Sequence, residues 1–143
     1  MNKGIKKVAC FAIVLVVIMT LTLSFASCGE KTRYNYVSTT MSEDSIFDIS
    51  SMFDVMYKGS YILVSESSIE WVTDDTSNKM SCKKDGDRVL LGGDYLDRMS
   101  NEMYGGEVDV KYYGQENDDG YTIIVVEKIS GYTIEMNINF EKA

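Results

Sequence analysis

The chain contains no histidine and no proline, only three cysteines and a single tryptophan. Without histidine there is no Ser-His-Asp or Cys-His catalysis, no histidine metal site and no usual proton shuttle near neutral pH. Cys82 is the only thiol beyond residue 28, which excludes a cysteine-rich zinc site. With proline missing, turns must come from Gly, Asn, Asp and Ser. Cations are scarce as well: 14 Lys and Arg face 22 Asp and Glu, for a net charge of -8. Beyond residue 27 the balance is 11 bases against 22 acids, or -11. Such a chain repels nucleic acid and anionic headgroups at long range, so no nucleic-acid partner is expected.

At the N-terminus, "MNKGIKK" sets Lys3, Lys6 and Lys7 ahead of twenty uncharged residues, Val8 to Ser27. A basic start, an apolar core and small residues are the physical form of an export signal. The lysines stay on the cytoplasmic side while the apolar core enters the bilayer. Twenty such residues also suffice to span a membrane, so an uncleaved anchor helix competes with cleavage and simple secretion. The four residues "FASC", Phe25 to Cys28, resemble the lipobox of bacterial lipoproteins. Ala26, Ser27 and Cys28 match that pattern, and Phe25 stands where Leu is usual. The resemblance implies a diacylglycerol on the Cys28 thiol, cleavage just before it and, in many bacteria, an acylated amine. Two or three acyl chains hold a protein stably where one does not.

The expected organisation is a signal peptide over 1–27, a lipidated Cys28 opening a polar tether over 28–41, and one small domain over 42–143. The expected location is the extracytoplasmic side of a bacterial membrane, reached through the lipid on Cys28. A mature chain of 116 residues buries about two-thirds of its unfolded surface and needs no disulfide. Cys82 reads as a small buried hydrophobe, with pairing between chains as its rival.

Hydrophobic spacing supplies the elements. Ile46, Ile49, Met52, Phe53 and Met56 repeat at three and four residues, predicting a helix with an apolar stripe facing the core. Thr40 with Glu43 fits a capping box, Ser42 offers a second cap, and Lys58-Gly59 fits an exit. Leu96, Met99 and Met103 predict a shorter helix from Asp94 to Gly105. "SYILVSES", "IEWVTD", "KMSCKK" and "DRVLL" read as strands, the last two joined by a turn at Asp85-Gly86. Three more follow: "EVDVKYY", "YTIIVVEKI" and "GYTIEMNINFE". In the last, Tyr132, Ile134, Met136, Ile138 and Phe140 alternate strictly with polar residues, so one face meets a core. The run Ile123 to Val126 predicts a central strand buried on both faces. Together these predict an α+β domain, a twisted antiparallel sheet with one or two helices packed on a face. A half-barrel around an apolar ligand is the alternative.

No motif assigns a reaction. "QENDDG" fails as a calcium loop, because Gln115 and Val126 fall where an acid and a glutamate are needed. Gly92-Gly93 lacks the lysine and further glycines of a phosphate loop. Tyr112 and Tyr113, adjacent on a strand, must point to opposite faces. Catalytic, cofactor-binding and metal residues are therefore expected to be none, and Cys28 is the one functional residue named. The function expected is a non-catalytic binding module for an envelope protein, a glycan or a small molecule. The alternatives are a carrier of an apolar ligand and a carboxylate-dependent glycan hydrolase.

Replacing Cys28 with alanine is expected to abolish incorporation of labelled fatty acid and to shift the chain out of the membrane fraction. Unchanged labelling of the C28A chain contradicts the lipobox reading.

Overall fold

The computed structural model describes residues 29–43, 45 and 48–143. The export segment, Cys28 and Ile46 lie outside the described residues. Eight strands follow one another as an antiparallel meander: β1 (Thr32–Met41), β2 (Tyr61–Val64), β3 (Ser68–Thr73), β4 (Thr76–Asp85), β5 (Arg88–Gly92), β6 (Asp109–Glu116), β7 (Gly120–Ile129) and β8 (Tyr132–Lys142). Helix α1 (Ser50–Tyr57) joins β1 to β2, and α2 (Asp94–Tyr104) joins β5 to β6. Each strand pairs with the next, and β8 pairs back onto β1 to close a barrel.

This corrects the expected α+β architecture of an open sheet covered by helices. The decisive element is β1, which occupies Thr32–Met41, most of the stretch expected to be a tether. Its inward residues are Tyr34 and Tyr36 before the register break, and Thr39 and Met41 after it. Val37 is the extra residue of a bulge, 54% exposed, and it flips the inward phase from even to odd numbers. Period-two counting fails across such a break. The ladder continues past the strand ends, where Ser42 N–H donates to the Glu135 carbonyl at 2.9 Å and Ala143 N–H to the Arg33 carbonyl at 3.0 Å.

The last strand follows its alternation from Met136 onward: Met136, Ile138 and Phe140 are buried in the interior and Glu141 is exposed, but Tyr132, expected on the same core face, is 70% exposed at the strand's start. In β7 the inward residues are Tyr121, Ile123, Val125 and Glu127. Ile124 is also buried, on the outer wall between its ladder partners Tyr113 and Asn137. The expected burial on both faces is present at that residue, but a closed barrel has no central strand.

Eight strands leave an interior just wide enough for side chains to fill. Trp71 occupies it, fully buried, with its indole N–H donating to Ser60 Oγ at 3.2 Å. Around Trp71 lie Phe140 at a 5.6 Å ring separation, Tyr57 of α1 at 4.7 Å and Tyr95 of α2 at 6.0 Å. Both helices and the β3–β4 and β7–β8 turns belong to one end of the barrel, here the helix end. The other turns, the start of β1 and the end of β8 form the opposite, termini end.

Two-residue turns supply the chirality that hairpins need. Asp74-Asp75 and Ser130-Gly131 each adopt two positive φ angles, the type I′ pattern. The β4–β5 loop is Gly86-Asp87, one residue later than expected, because Asp85 pairs with Arg88. Gly86 at φ +64° suits the first position of a type II′ turn.

Gly120 starts β7 where the β8 backbone comes close, and a Cβ built there lands against the Phe140 carbonyl oxygen. Gly120→Ala is expected to cost about 1–3 kcal/mol through strain in the β7–β8 ladder. A lower urea midpoint at unchanged slope is the signature.

Candidate functional site

The helix end departs most from an ordinary water-facing surface. Helix α1 begins at Ser50, not at the expected Thr40–Glu43 capping box, and Thr40 lies in β1. Asp48 replaces that box: its Oδ1 accepts from the Ser50 N–H at 2.9 Å and from the Ser50 hydroxyl at 2.5 Å. These two bonds hold the Asp48 carboxyl below its ordinary range. The exit is a type II turn, with Lys58 extended and Gly59 at φ +84°, closed by Ser60 N–H to the Tyr57 carbonyl at 2.9 Å.

The stripe expected to be core is divided by the fold. Phe53 and Tyr57, one turn apart, are buried, and their rings lie 5.5 Å apart. Tyr57 also stacks on Trp71, so aromatic burial sets the rotation of the helix. Met52 and Met56 consequently face outward, at 49% and 57% exposure, with Val55 beside them at 81%. This corrects the reading of Met52 and Met56 as core. Asp54 fixes the rotation from the other side. Its Oδ1 accepts from the Tyr36 hydroxyl at 2.5 Å and the Thr39 N–H at 3.0 Å. Burial and the Asp54 carboxylate push the Tyr36 hydroxyl up to about 12.

Helix α2 forms the facing wall. Leu96 and Met99 are buried as their spacing predicts, and Met103 packs partly against the same core. Asp94 is the first helical residue and not the cap; that position belongs to Gly93, with no side-chain bond. Gly105 ends the helix at φ +64°, as expected, its N–H donating to the Asn101 carbonyl. Ser100 Oγ and Tyr112 Oη, 2.8 Å apart, tie the helix to β6. Tyr113 points outward, with the Arg88 guanidinium 5.7 Å from its ring centre.

Between the helices lies a groove of about 300 Å³. Tyr57, Tyr95 and Met99 form its floor, Met56 and Met103 its walls, and Asp74, Arg98 and Glu102 its rim. The Tyr57 hydroxyl donates to Met99 Sδ at 3.1 Å, and burial raises its pKa. Thioethers and tyrosine faces of this kind suit an apolar side chain, with charged groups placed to orient it.

The termini end holds a second hollow, about 270 Å³, lined by Val64, Ile69, Cys82, Val89 and Tyr121. Gly114 admits the Tyr121 ring, since a Cβ there lands on that hydroxyl. Cys82 is free and partly buried, and burial pushes its thiol up, away from the reactive thiolate. Glu66, Asp87 and Glu116 ring this hollow, and Glu116 accepts from the Tyr34 hydroxyl at 2.7 Å. Burial, followed by that bond, holds Tyr34 up at about 12. The "QENDDG" stretch forms the β6–β7 turn, where Asn117 Oδ1 accepts from Gly120 N–H at 2.8 Å. Among the described residues no group of His, Cys, Asp and Glu is arranged to hold a metal ion. Also among them, no helix is long and apolar enough to cross a membrane.

Sequence reasoning missed the groove because its lining comes from three separated segments. Only one signal hinted at it: methionine recurs at 52, 56, 99 and 103, on the two segments expected to be helices.

Glu127 lies inside the barrel wall near the end of α2, buried, and accepts from the Tyr104 hydroxyl. Burial raises its pKa above the ordinary 4.5. The native state therefore holds this proton more tightly than the unfolded chain does. Stability from this group is full below the ordinary value and is lost as pH rises through the native value. Glu127→Gln keeps an acceptor for Tyr104 without a charge. The stability difference between E127Q and the parent is expected to swing in favour of E127Q as pH rises from roughly 4 to 8, followed by urea denaturation.

Comparison with known proteins finds no matching family model, no matching curated protein and no matching solved structure, so the functional argument rests on this geometry.

Proposed function

We propose that this chain is a lipid-anchored, extracytoplasmic binding module, non-catalytic, whose docking face is the helix end of the barrel. The observation that carries the reading is the exposed stripe Met52, Val55 and Met56, continuous at Met56 with the groove between α1 and α2. Isolated exposed apolar residues are ordinary, whereas a cluster beside a preformed apolar groove marks an interaction site. The outer wall offers a contrast: Glu70, Lys79, Lys111 and Asn139 face outward along the strands.

The direction of the chain adds support. Cys28 precedes Thr32 by four residues, a reach of at most about 14 Å, and Thr32 begins β1 at the termini end. Lipid at Cys28 leashes the chain at that end and leaves the helix end free to meet partners. An acidic mature chain, 11 bases against 22 acids beyond residue 27, stays off anionic headgroups, so the thioether, not the surface charge, provides the membrane attachment.

A photo-crosslinking side chain placed at Val55 in intact cells is expected to give a discrete adduct, and the same group at Lys111 on the outer wall none. Equal adducts at both positions, or none at Val55, overturn the docking face. Turnover of a glycan panel by the purified chain, abolished by Glu66→Gln or Glu116→Gln, overturns the non-catalytic reading.

A further inference from the structure

Resting on that docking face, we propose that the groove between α1 and α2 takes the apolar side of a basic, amphipathic peptide segment of a protein partner. Three properties of the surface specify this occupant. The first is its apolar part. Met52, Val55 and Met56 sit at relative positions i, i+3 and i+4, so they form one stripe on a helix about 12 Å long. Met56 ends the stripe at the lip of the groove, where Met103 stands opposite and Met99 and Tyr57 form the floor. Unbranched thioether chains re-pack around differently shaped apolar groups, which suits side chains from a peptide better than one rigid small molecule.

The second property is charge. Asp74, Asp75 and Glu102 are exposed around the groove and the hollow beside it, against Arg98 and Lys58. Among the described residues the one ion pair is Lys31 with Glu70, on the barrel wall, so these carboxylates are not neutralised by a salt bridge of their own. Asp74 borders both the groove and a neighbouring hollow of about 260 Å³ that reaches Lys58 and Gly59, with Met56 between them. A partner carrying Lys or Arg beside its apolar residues meets attraction there, and an acidic one meets repulsion.

The third property is what the same charges exclude. A second copy packed through this face brings Asp74, Asp75 and Glu102 of both chains together with only Arg98 and Lys58 to offset them, and an anionic membrane meets the same net repulsion. The groove has room for one large apolar side chain, with the exposed stripe of α1 covered by its neighbours one turn along.

The test uses the full chain in nanodiscs of zwitterionic lipid, with empty nanodiscs as the blank. Two synthetic peptides are titrated, one of leucine and lysine at helical spacing and one with glutamate in place of lysine. Methionine methyl NMR reads the site: Met52, Met56, Met99 and Met103 are expected to shift with the lysine peptide, while Met41, Met80 and Met136 of the barrel stay still. Val55→Asp is expected to weaken that binding about tenfold. Replacing Asp74 and Asp75 together with asparagine, which tolerates the same left-handed turn, is expected to weaken it several-fold and flatten its salt dependence. Equal affinity for the glutamate peptide, shifts confined to barrel methionines, absence of binding, or self-association through this face overturns the inference. A Val55 adduct formed in cells alongside any of these results leaves the docking face standing and removes only its basic occupant.

Discussion

The pairing of β1 with β8 is the constraint on which the rest of the molecule depends. Without it the sheet has two open edges and an interior exposed along one side. With it, the edges vanish and every inward residue has neighbours on both flanks. The seam accommodates the twist of closure through the bulge at Val37, which carries the ladder past Phe140 and restarts it at Asn139. Gly120, where a Cβ would collide with the Phe140 carbonyl of β8, keeps the neighbouring ladder free of strain.

Closure determines where binding is feasible. An eight-stranded barrel has little interior to spare, and Trp71, Phe140 and the tyrosines around them occupy it. The two helices complete that packing with Phe53, Tyr57, Leu96 and Met99. The groove between the helices and the hollow within the ring of turns opposite therefore both lie at the ends of the barrel and not in its centre. The rotation of α1 links core to surface: the aromatic rings that fill the barrel take the inward face, and the methionines are left outside. Asp54, bonded to Tyr36 and Thr39, holds that arrangement from β1.

Most strands were legible from residue types alone. Alternation in β8, β-branched content in β3 and β7, and the small-residue turns between them all correspond to observed elements. Helix α2 was legible from Leu96, Met99 and its terminal glycine. What escaped was β1, because its bulge breaks the period and Thr39 takes an inward position normally held by an apolar residue. Missing that strand changed the architecture from a closed barrel to an open sheet. At α1 the spacing predicted an apolar stripe of which Phe53 and Ile49 face the core as expected, while Met52 and Met56 face outward. Met and Tyr both fit the periodicity, and the stacking of Tyr57 on Trp71, with Asp54 held from β1, decides that Tyr57 goes in. The groove was illegible for a related reason, since Thr73-Asp74, α1 and α2 become neighbours only through the barrel.

The seam also has a consequence for the order of events after synthesis. Ser38 and Asn139, 101 residues apart, are among the residues it brings together, so the first strand waits for the last before the circle can form. Contacts of such separation are slow to gather. If the thioether at Cys28 forms as the chain emerges, the polypeptide completes its fold while already leashed to a bilayer. A product cut short within its final strand then has no smaller circle to fall back on, and its two unpaired edges leave it open to proteolysis and to pairing with other chains.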